Sequence, residues 1–198
     1  MPSIFEHYDD NDISALIAEY PLAWVQPIGD EGHKGALLPL IAELNADGAL
    51  SSLIGHMARK NPLHDALKTA GEASILFQGP QAYVSPSWIR KPDWAPTWNY
   101  ARVSINAKIE FEALSIDEAL ERLAKFQEDK QNSDWTISQI GERYKGLAEM
   151  VIPFRASVRS VRGVFKLGQD ENDEVFSDIV EHMSDPSMVQ WMRRFRER

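Results

Sequence analysis

The segment FQGPQAYVSPSWIRKPDWAPTWNY, from Phe77 to Tyr100, is the most informative stretch of the chain. Its prolines each remove a backbone donor and fix φ, so the segment is predicted to form neither a regular helix nor a central strand. Its aromatic side chains, with amides and hydroxyls between them, suit a planar heteroaromatic ligand that stacks and forms hydrogen bonds. A long loop that folds its rings onto the core is an equally good interpretation. The aromatic residues are Tyr83, Trp88, Trp94, Trp98 and Tyr100.

The composition is that of a globular protein. With 198 residues and 43% hydrophobic content, the chain is long enough for a sizeable core. A net charge of −9 argues against broad attraction to nucleic acid or to an anionic membrane. The absence of cysteine excludes disulfides, a thiolate nucleophile and cysteine metal sites. The acidic N-terminal sequence MPSIFEHYDDND has no apolar core, and no apolar run reaches membrane-spanning length, so a cytoplasmic protein is predicted.

Short strands followed by helices predict an α+β fold built on an antiparallel sheet or a small barrel. The predicted strands are Leu22–Gln26, Ala36–Leu44, Leu50–Met57, Ala73–Phe77, Ala101–Phe111 and Val151–Leu167, the last broken near Arg162-Gly163. The first predicted helix is capped by Asn11 or Asp12 and ends before Pro21, and another begins after Ser115. Further helices are predicted at Pro62–Thr69, Glu142–Met150 and Asp173–Met183, followed by a last apolar stripe from Met188 to Phe195. We predict a single domain over residues 1–198 with a C-terminal helical extension over about 171–198.

Two of these elements have particularly clear signals. From Ala101 to Phe111, apolar residues alternate with polar ones, which is the period of a half-buried strand. Ser115-Ile-Asp-Glu118 matches a capping box, with Leu114 in the staple position before it. Both segments are therefore expected to pack one apolar face on the core.

One basic corner is a candidate anion site. The sequence from Gly55 to Pro62 ends a strand and begins a helix, which places His56, Arg59 and Lys60 near free backbone N–H groups. Exposed basic residues at an ordinary corner are the alternative. The histidines lack the spacing of a zinc or iron site, so no metal is predicted. No catalytic dyad, G-x-S-x-G elbow or glycine-rich phosphate loop is present, so any chemistry is expected from a bound cofactor.

Several segments, taken in order, resemble the PaiB family of bacterial FMN-binding negative transcriptional regulators. The pair YVSPSW and PTWNY, at this spacing, is the most specific match. The matching blocks are Leu38-Pro39-Leu40, GHMARKNPL at 55–63, FQGPQAYVSPSW at 77–88, APTWNYARV at 95–103 and GVFKLGQD at 163–170, which is similar to the family's GKWKLSQN. The last block departs from the family at Val164, Phe165, Gly168 and Asp170, and Leu37 and Ser104 replace residues that are commonly histidine in the family.

This resemblance implies a split β-barrel of the kind shared with pyridoxamine-phosphate oxidases and flavin reductases, a homodimer, and FMN in a cleft between the subunits. It implies that three residues lie near the phosphate or ribityl chain: His56, Arg59 and Asn61. It implies an isoalloxazine pocket lined by Tyr83, Ser85, Trp88, Trp98, Asn99 and Tyr100, and closed by Lys166 and Gln169.

Three functions are consistent with the sequence. The first is a flavin-binding protein with a redox or flavin-sensing role, which includes a flavin-dependent oxidoreductase. The second is a negative transcriptional regulator that binds DNA directly or acts through a partner, of which the net charge of −9 favours the indirect route. The third is a barrel that has lost FMN and binds another planar ligand such as haem.

Overall fold

Six antiparallel strands close into a barrel in a computed structural model that describes residues 3–29, 34–111 and 113–197. The strands are β1 (Leu22–Pro27), β2 (Ala36–Leu44), β3 (Leu50–Ala58), β4 (Glu72–Val84), β5 (Thr97–Glu110) and β6 (Val151–Lys166). The helices are α1 (Asp10–Glu19), α2 (Pro62–Ala70), α3 (Ile116–Lys130), α4 (Arg143–Ala148), α5 (Asp173–His182) and α6 (Pro186–Arg196). The predicted α+β fold with an antiparallel barrel is thus confirmed.

The strand order around the barrel is β1-β2-β3-β6-β5-β4, and β1 also pairs with β4 to close the ring. In this order β3 lies three strands from β4 in either direction. The outer faces of β3 and β4 are therefore not adjacent on the barrel surface. This separation decides which of the predicted site residues can meet within one chain.

The strand β5 has the alternation that the sequence predicts. Its odd-numbered residues from Ala101 to Ile109 are buried, whereas Arg102, Ser104 and Asn106 on the other face are not. The strand begins earlier than predicted, at Thr97, so Trp98 and Tyr100 lie on the same outer face as Arg102.

The strand β4 is much longer than the predicted Ala73–Phe77 and runs through Gly79-Pro80 to Val84. The prediction that the proline-rich segment excludes a strand is therefore wrong for its first part. The register with β5 shifts between Gln78 and Gln81, so Pro80 lies in a bulge where no ladder donor is required.

The strand β6 is continuous from Val151 to Lys166, so the predicted break near Arg162-Gly163 is also wrong. Gly163 stays in the ladder opposite Val103. A Cβ atom at Gly163 would lie 2.6 Å from Cε2 of Phe165 and 3.0 Å from Cε1 of Tyr8. The glycine therefore makes room for neighbouring rings and does not interrupt the strand.

Helix starts are set by side-chain caps. Ser115 caps α3 as predicted, accepting a hydrogen bond from the Glu118 backbone N–H at 3.1 Å. The helix α1 begins earlier than predicted because Asp9 is its cap, and Asp9 and Asp12 each accept from the other's backbone N–H at 3.0 Å. Asp12 is thus the third residue of a capping box.

The helices cover the barrel in two groups. Apolar side chains of α1 and α6 belong to the same buried cluster as the barrel interior, and α3 covers the outer face of β2 and β3 through Ile41 and Ile54. The C-terminal stripe predicted to be apolar is buried in that main cluster: Met188, Trp191, Met192 and Phe195. Within the described ranges, no helix is long and apolar enough to cross a membrane.

Candidate functional site

A cleft of about 320 Å³ lies on the outer face of β4 and β5. Its position follows from the strand register, which pairs Gln78 with Arg102 and Gln81 with Tyr100 on either side of the bulge in β4. The lining residues are Leu76, Gln78, Gln81, Trp98, Tyr100, Ala101 and Arg102. The cleft therefore combines aromatic walls with amide, phenol and guanidinium groups.

Trp98 and Tyr83 form the aromatic end of this face. They are cross-strand partners, and their ring centroids are 5.8 Å apart with an interplanar angle of 63°. Trp98 is 53% exposed and Tyr83 is 46% exposed, which is unusual for large rings on a barrel. Their exposed faces are available for stacking with a ligand or with another protein surface.

The exposed apolar surface continues from the cleft onto β1 and β2. Trp24 pairs with Leu76 of β4 on one side and with Leu37 of β2 on the other. Leu22, Trp24 and Leu37 are 53%, 41% and 57% exposed. A contiguous apolar patch of this kind on a strand face is typical of an interaction surface.

The polar groups of the cleft fit a flavin. Gln78 and Gln81 offer amide donors and acceptors of the kind that pair with the pyrimidine edge of the ring system. Tyr100 pairs with Gln81 across the strands, and the Arg102 guanidinium donates to the Ser104 hydroxyl at 2.7 Å. Together with the Trp98 ring they can bind a planar heteroaromatic group on its face and its edge.

The predicted phosphate corner lies elsewhere, on β3 and at the start of α2. The Arg59 guanidinium donates to the backbone carbonyls of Glu149 at 3.2 Å and Val151 at 3.0 Å. The Asn61 side chain caps α2 by accepting from the Leu63 N–H at 3.0 Å. His56 lies on the outer face of β3 opposite Pro153. Since β3 and β4 are not neighbours in the ladder and none of these three residues lines the cleft, this corner does not meet the cleft within one chain.

His56 is the electrostatically unusual member of that corner. Its Nδ1 is buried and has no hydrogen-bond partner in the part of the chain that the structure describes. Burial lowers the pKa of the His56 imidazole below its usual value, because the protonated ring is poorly solvated there. The His56 imidazole is therefore favoured in its neutral form, and its Nδ1 has no hydrogen-bond partner among the described residues.

The aromatic loop between β4 and β5 packs on α5. The Trp88 ring stacks on His182 with centroids 6.1 Å apart and an interplanar angle of 11°. The buried Asp178 carboxylate accepts from the Arg90 backbone N–H at 2.9 Å and from Arg90 Nε at 2.6 Å. Ser85 accepts from the Ser87 N–H at 3.2 Å and begins a short turn. For Ser85 and Trp88, the interpretation as a loop folded onto the core matches the contacts.

The remaining predicted residues lie near a second cavity of about 270 Å³ between the loop, the ends of β5 and β6, and α5. Asn99 and Lys166 line it, and the Lys166 ammonium donates to the Thr97 hydroxyl. The Asn99 side chain is buried, with its amide 3.6 Å from the Met192 sulfur. Gln169 turns away from this cavity, because its Oε1 accepts from the Leu167 N–H at 2.7 Å.

The structure thus divides the predicted site into groups. Trp98 and Tyr100 line the cleft, with Tyr83 beside it. The other predicted residues lie at the β3 corner, in the loop on α5 or near the second cavity. Gln78 is one of the amide side chains that the sequence places among the aromatic residues, whereas the sequence reasoning missed Leu76, Gln81 and Arg102 as lining residues. The outward register of Arg102 on β5 was a usable signal, since every second residue of that strand is apolar and faces inward.

No group of three or more His, Asp or Glu side chains within residues 3–29, 34–111 and 113–197 is arranged to hold a metal ion.

Comparison with known proteins identifies a curated relative of the chain. It is 26% identical over 135 residues to protease synthase and sporulation protein PAI 2 of Bacillus subtilis, covering 66% of this chain and 64% of the relative. The chain thus spans somewhat less than two thirds of that relative's length.

Two solved structures show the same fold. The flavocytochrome Anf3 of Azotobacter vinelandii matches with a TM-score of 0.55 at 13% identity, covering 80% of this chain and 68% of that one. An FAD and haem binding protein of Mycobacterium smegmatis matches with a TM-score of 0.55 at 14% identity, covering 88% and 78%.

The family model described as "Putative FMN-binding domain" matches residues 1–160, which is most of the chain. This match and the Bacillus relative confirm the resemblance drawn from the YVSPSW and PTWNY motifs. The chain belongs to this FMN-binding domain family, which the PaiB resemblance predicted, and it has an antiparallel split-barrel fold.

Proposed function

We propose that this protein binds FMN in the cleft on the outer face of β4 and β5 and uses it in a redox or flavin-sensing role in the cytoplasm. The observation that carries the proposal is the lining of the cleft, which sets an exposed Trp98 beside Gln78, Gln81 and Tyr100. Membership of the FMN-binding domain family supports flavin as the ligand.

The residues of the chain would bind and orient the flavin. Trp98 offers a ring face for stacking, and the Gln78 and Gln81 amides offer hydrogen bonds to the ring edge. A bound flavin supplies hydride or single-electron transfer, which the protein's own side chains cannot. Leu76 and Tyr100 would exclude water from one side of the ring.

We further propose that a second copy of the chain completes the site. The cleft is open to solvent on an apolar face that includes Leu22, Trp24 and Leu37. The corner formed by His56, Arg59 and Asn61 lies outside the cleft of its own chain, on β3 and at the start of α2. A two-fold homodimer whose interface includes both the apolar face and this corner would bring the partner's corner to the open side of the cleft, where a half-buried neutral imidazole and an arginine would meet the ligand.

The alternative is a regulatory role through a protein partner, which the net charge of the chain favours over direct binding to DNA. A net charge of −9 disfavours direct binding to DNA. A flavin-dependent change in the apolar face would be one route by which such a protein passes on a redox signal.

The first experiment is the visible absorption spectrum of the purified protein, before and after incubation with FMN and gel filtration. A retained flavin spectrum supports the proposal, and a colourless protein that releases FMN contradicts it. Trp98→Ala should weaken FMN binding by about 5- to 150-fold, because stacking on an aromatic side chain contributes about 1–3 kcal/mol per planar base in comparable sites. Trp135→Ala is the control, since Trp135 is 39% exposed in a different cavity. Equal FMN affinity of the two variants would show that FMN does not bind in the cleft.

The dimer is tested by complementation. Arg59→Ala should also weaken FMN binding if the partner's corner reaches the cleft, and light scattering should give the mass of two chains. Mixing the Trp98→Ala and Arg59→Ala proteins after reversible unfolding should restore tight binding at one site of each mixed dimer. A protein that binds FMN as a monomer, or shows no restoration on mixing, would refute the shared site.

A further inference from the structure

We infer that Arg102 is the anion receptor of the cleft and selects for a ligand with negative charge, either the phosphate of FMN or the N1–C2 carbonyl edge of the flavin ring. This inference rests on the proposed flavin site. It assigns a specific role to a residue on the outer face of β5 that was not among the predicted site residues.

The position of Arg102 in the cleft is fixed by the strand register. It pairs with Gln78 of β4 on one side and with Val164 of β6 on the other. Its guanidinium donates to the Ser104 hydroxyl at 2.7 Å, which uses one N–H and holds the side chain along the strand. The remaining donors of the guanidinium fork are available for a carboxylate, a phosphate or a carbonyl edge.

The charge of Arg102 is not neutralised by a carboxylate within the ranges that the structure describes. Its cationic neighbours on the same face have other partners. Arg162, opposite Ser104, is ion-paired with Glu6, and Lys166, opposite Tyr100, donates to Thr97. Arg102 is therefore an uncompensated positive charge beside apolar walls, in a protein whose net charge is −9.

Such a charge favours an anionic ligand for two reasons. Coulombic attraction is stronger beside low-dielectric walls than in water, and a guanidinium forms paired hydrogen bonds with two oxygens at once. A neutral ligand would gain stacking with Trp98 but would leave the guanidinium without a counter-charge. The structure thus predicts that the cleft binds FMN more tightly than riboflavin, or the reduced, anionic flavin ring more tightly than the oxidised ring.

The experiment compares FMN and riboflavin affinity in the wild type, Arg102→Gln and Arg102→Lys, by quenching of flavin fluorescence. Arg159→Gln is the matched control, because it removes the same charge from an exposed position of β6 outside the cleft. Arg102→Gln should weaken FMN binding at least tenfold, Arg102→Lys should weaken it less, and Arg159→Gln should leave it within twofold of the wild type.

The two sources of negative charge are separated by the riboflavin measurement. Loss of affinity for FMN alone identifies the phosphate as the group at Arg102. An equal loss for riboflavin identifies the ring edge, and in that case Arg102→Gln should also lower the midpoint potential of the bound flavin. FMN and riboflavin affinities of Arg102→Gln that both stay within twofold of the wild type would overturn the inference.

A second ligand separates failure of this inference from failure of the flavin proposal. If the wild type binds neither flavin, the flavin proposal fails, and Arg102 is tested with 8-anilinonaphthalene-1-sulfonate, an anionic aromatic probe. Its affinity should fall at least fivefold in Arg102→Gln but not in Arg159→Gln. Equal probe affinity in the two variants would refute the anion receptor.

Discussion

Replacing Gly55 with alanine should destabilise the barrel, because the space beside this residue is already filled. A Cβ atom at Gly55 would lie 2.2 Å from Cδ2 of Leu40 and 3.0 Å from Cζ of Phe154. Both neighbours are fully buried in the barrel core, and ordinary contact at such a position begins at 3.4 Å. Leu40 would have to shift by about 1 Å or change its rotamer, since the backbone of β2 pairs with Gly55 directly.

Overpacking of this kind costs about 1–3 kcal/mol, from which the lower chain entropy of alanine in the unfolded state recovers roughly 0.5–1 kcal/mol. The net cost is about 0–2.5 kcal/mol, and for a chain of this length a loss of 1 kcal/mol lowers Tm by about 2–4 °C, so Gly55→Ala should lower Tm by up to about 10 °C. Thermal unfolding followed by circular dichroism, with a urea titration for the free energy of unfolding, measures both quantities.

A shortened neighbour tests the cause of this loss. Leu40→Val alone should cost about 1 kcal/mol for the lost methylene, yet it should relieve the clash in the double variant. The two changes together should therefore cost less than the sum of the single changes, by about 0.5 kcal/mol or more. The control is Gly146→Ala in α4, where no atom lies within 4 Å of the added Cβ. It should leave stability unchanged or raise it by up to about 1 kcal/mol. Additive costs of Gly55→Ala and Leu40→Val would refute the steric argument.

Two further predictions concern a buried histidine and the C-terminal helix. Burial holds the pKa of His56 below 6.5, so the unfolded chain binds more protons than the folded protein just below that pH. His56 therefore contributes full stability above about pH 6.5 and loses it as the pH falls, and urea midpoints between pH 7.5 and 5.5 should fall less in His56→Gln than in the wild type. Equal slopes would contradict this origin. Trp191→Ala removes a buried ring that stacks on Phe165 with centroids 5.8 Å apart and should cost about 3–5 kcal/mol. Retention of wild-type Tm after this change would show that α6 is not part of the folded core.

The sequence predicted elements best where a local rule acts alone. The alternation of β5 and the Ser115 cap of α3 were both correct, because side-chain period and capping depend on residues a few positions apart. It failed at β4 and β6, where Gly79-Pro80 and Arg162-Gly163 read as breaks. At β4 the strand continues because the register with β5 shifts around Pro80, and at β6 it continues because Gly163 makes room for the rings of Phe165 and Tyr8. The contacts with β5 and with Tyr8 involve residues distant in the sequence, so rules based on neighbouring residues cannot predict them.

The sequence by itself determined the family, the α+β barrel and the aromatic character of the candidate site, since the motifs YVSPSW and PTWNY and the strand periods are properties of the chain. Only the tertiary structure decided which residues share a surface. It set Trp98, Tyr100 and Arg102 along one cleft, turned Trp88 onto α5, and put His56 and Arg59 outside that cleft. The physical reason is that the ladder order β1-β2-β3-β6-β5-β4 fixes which outer faces are adjacent, and this order depends on pairings between strands far apart in the sequence.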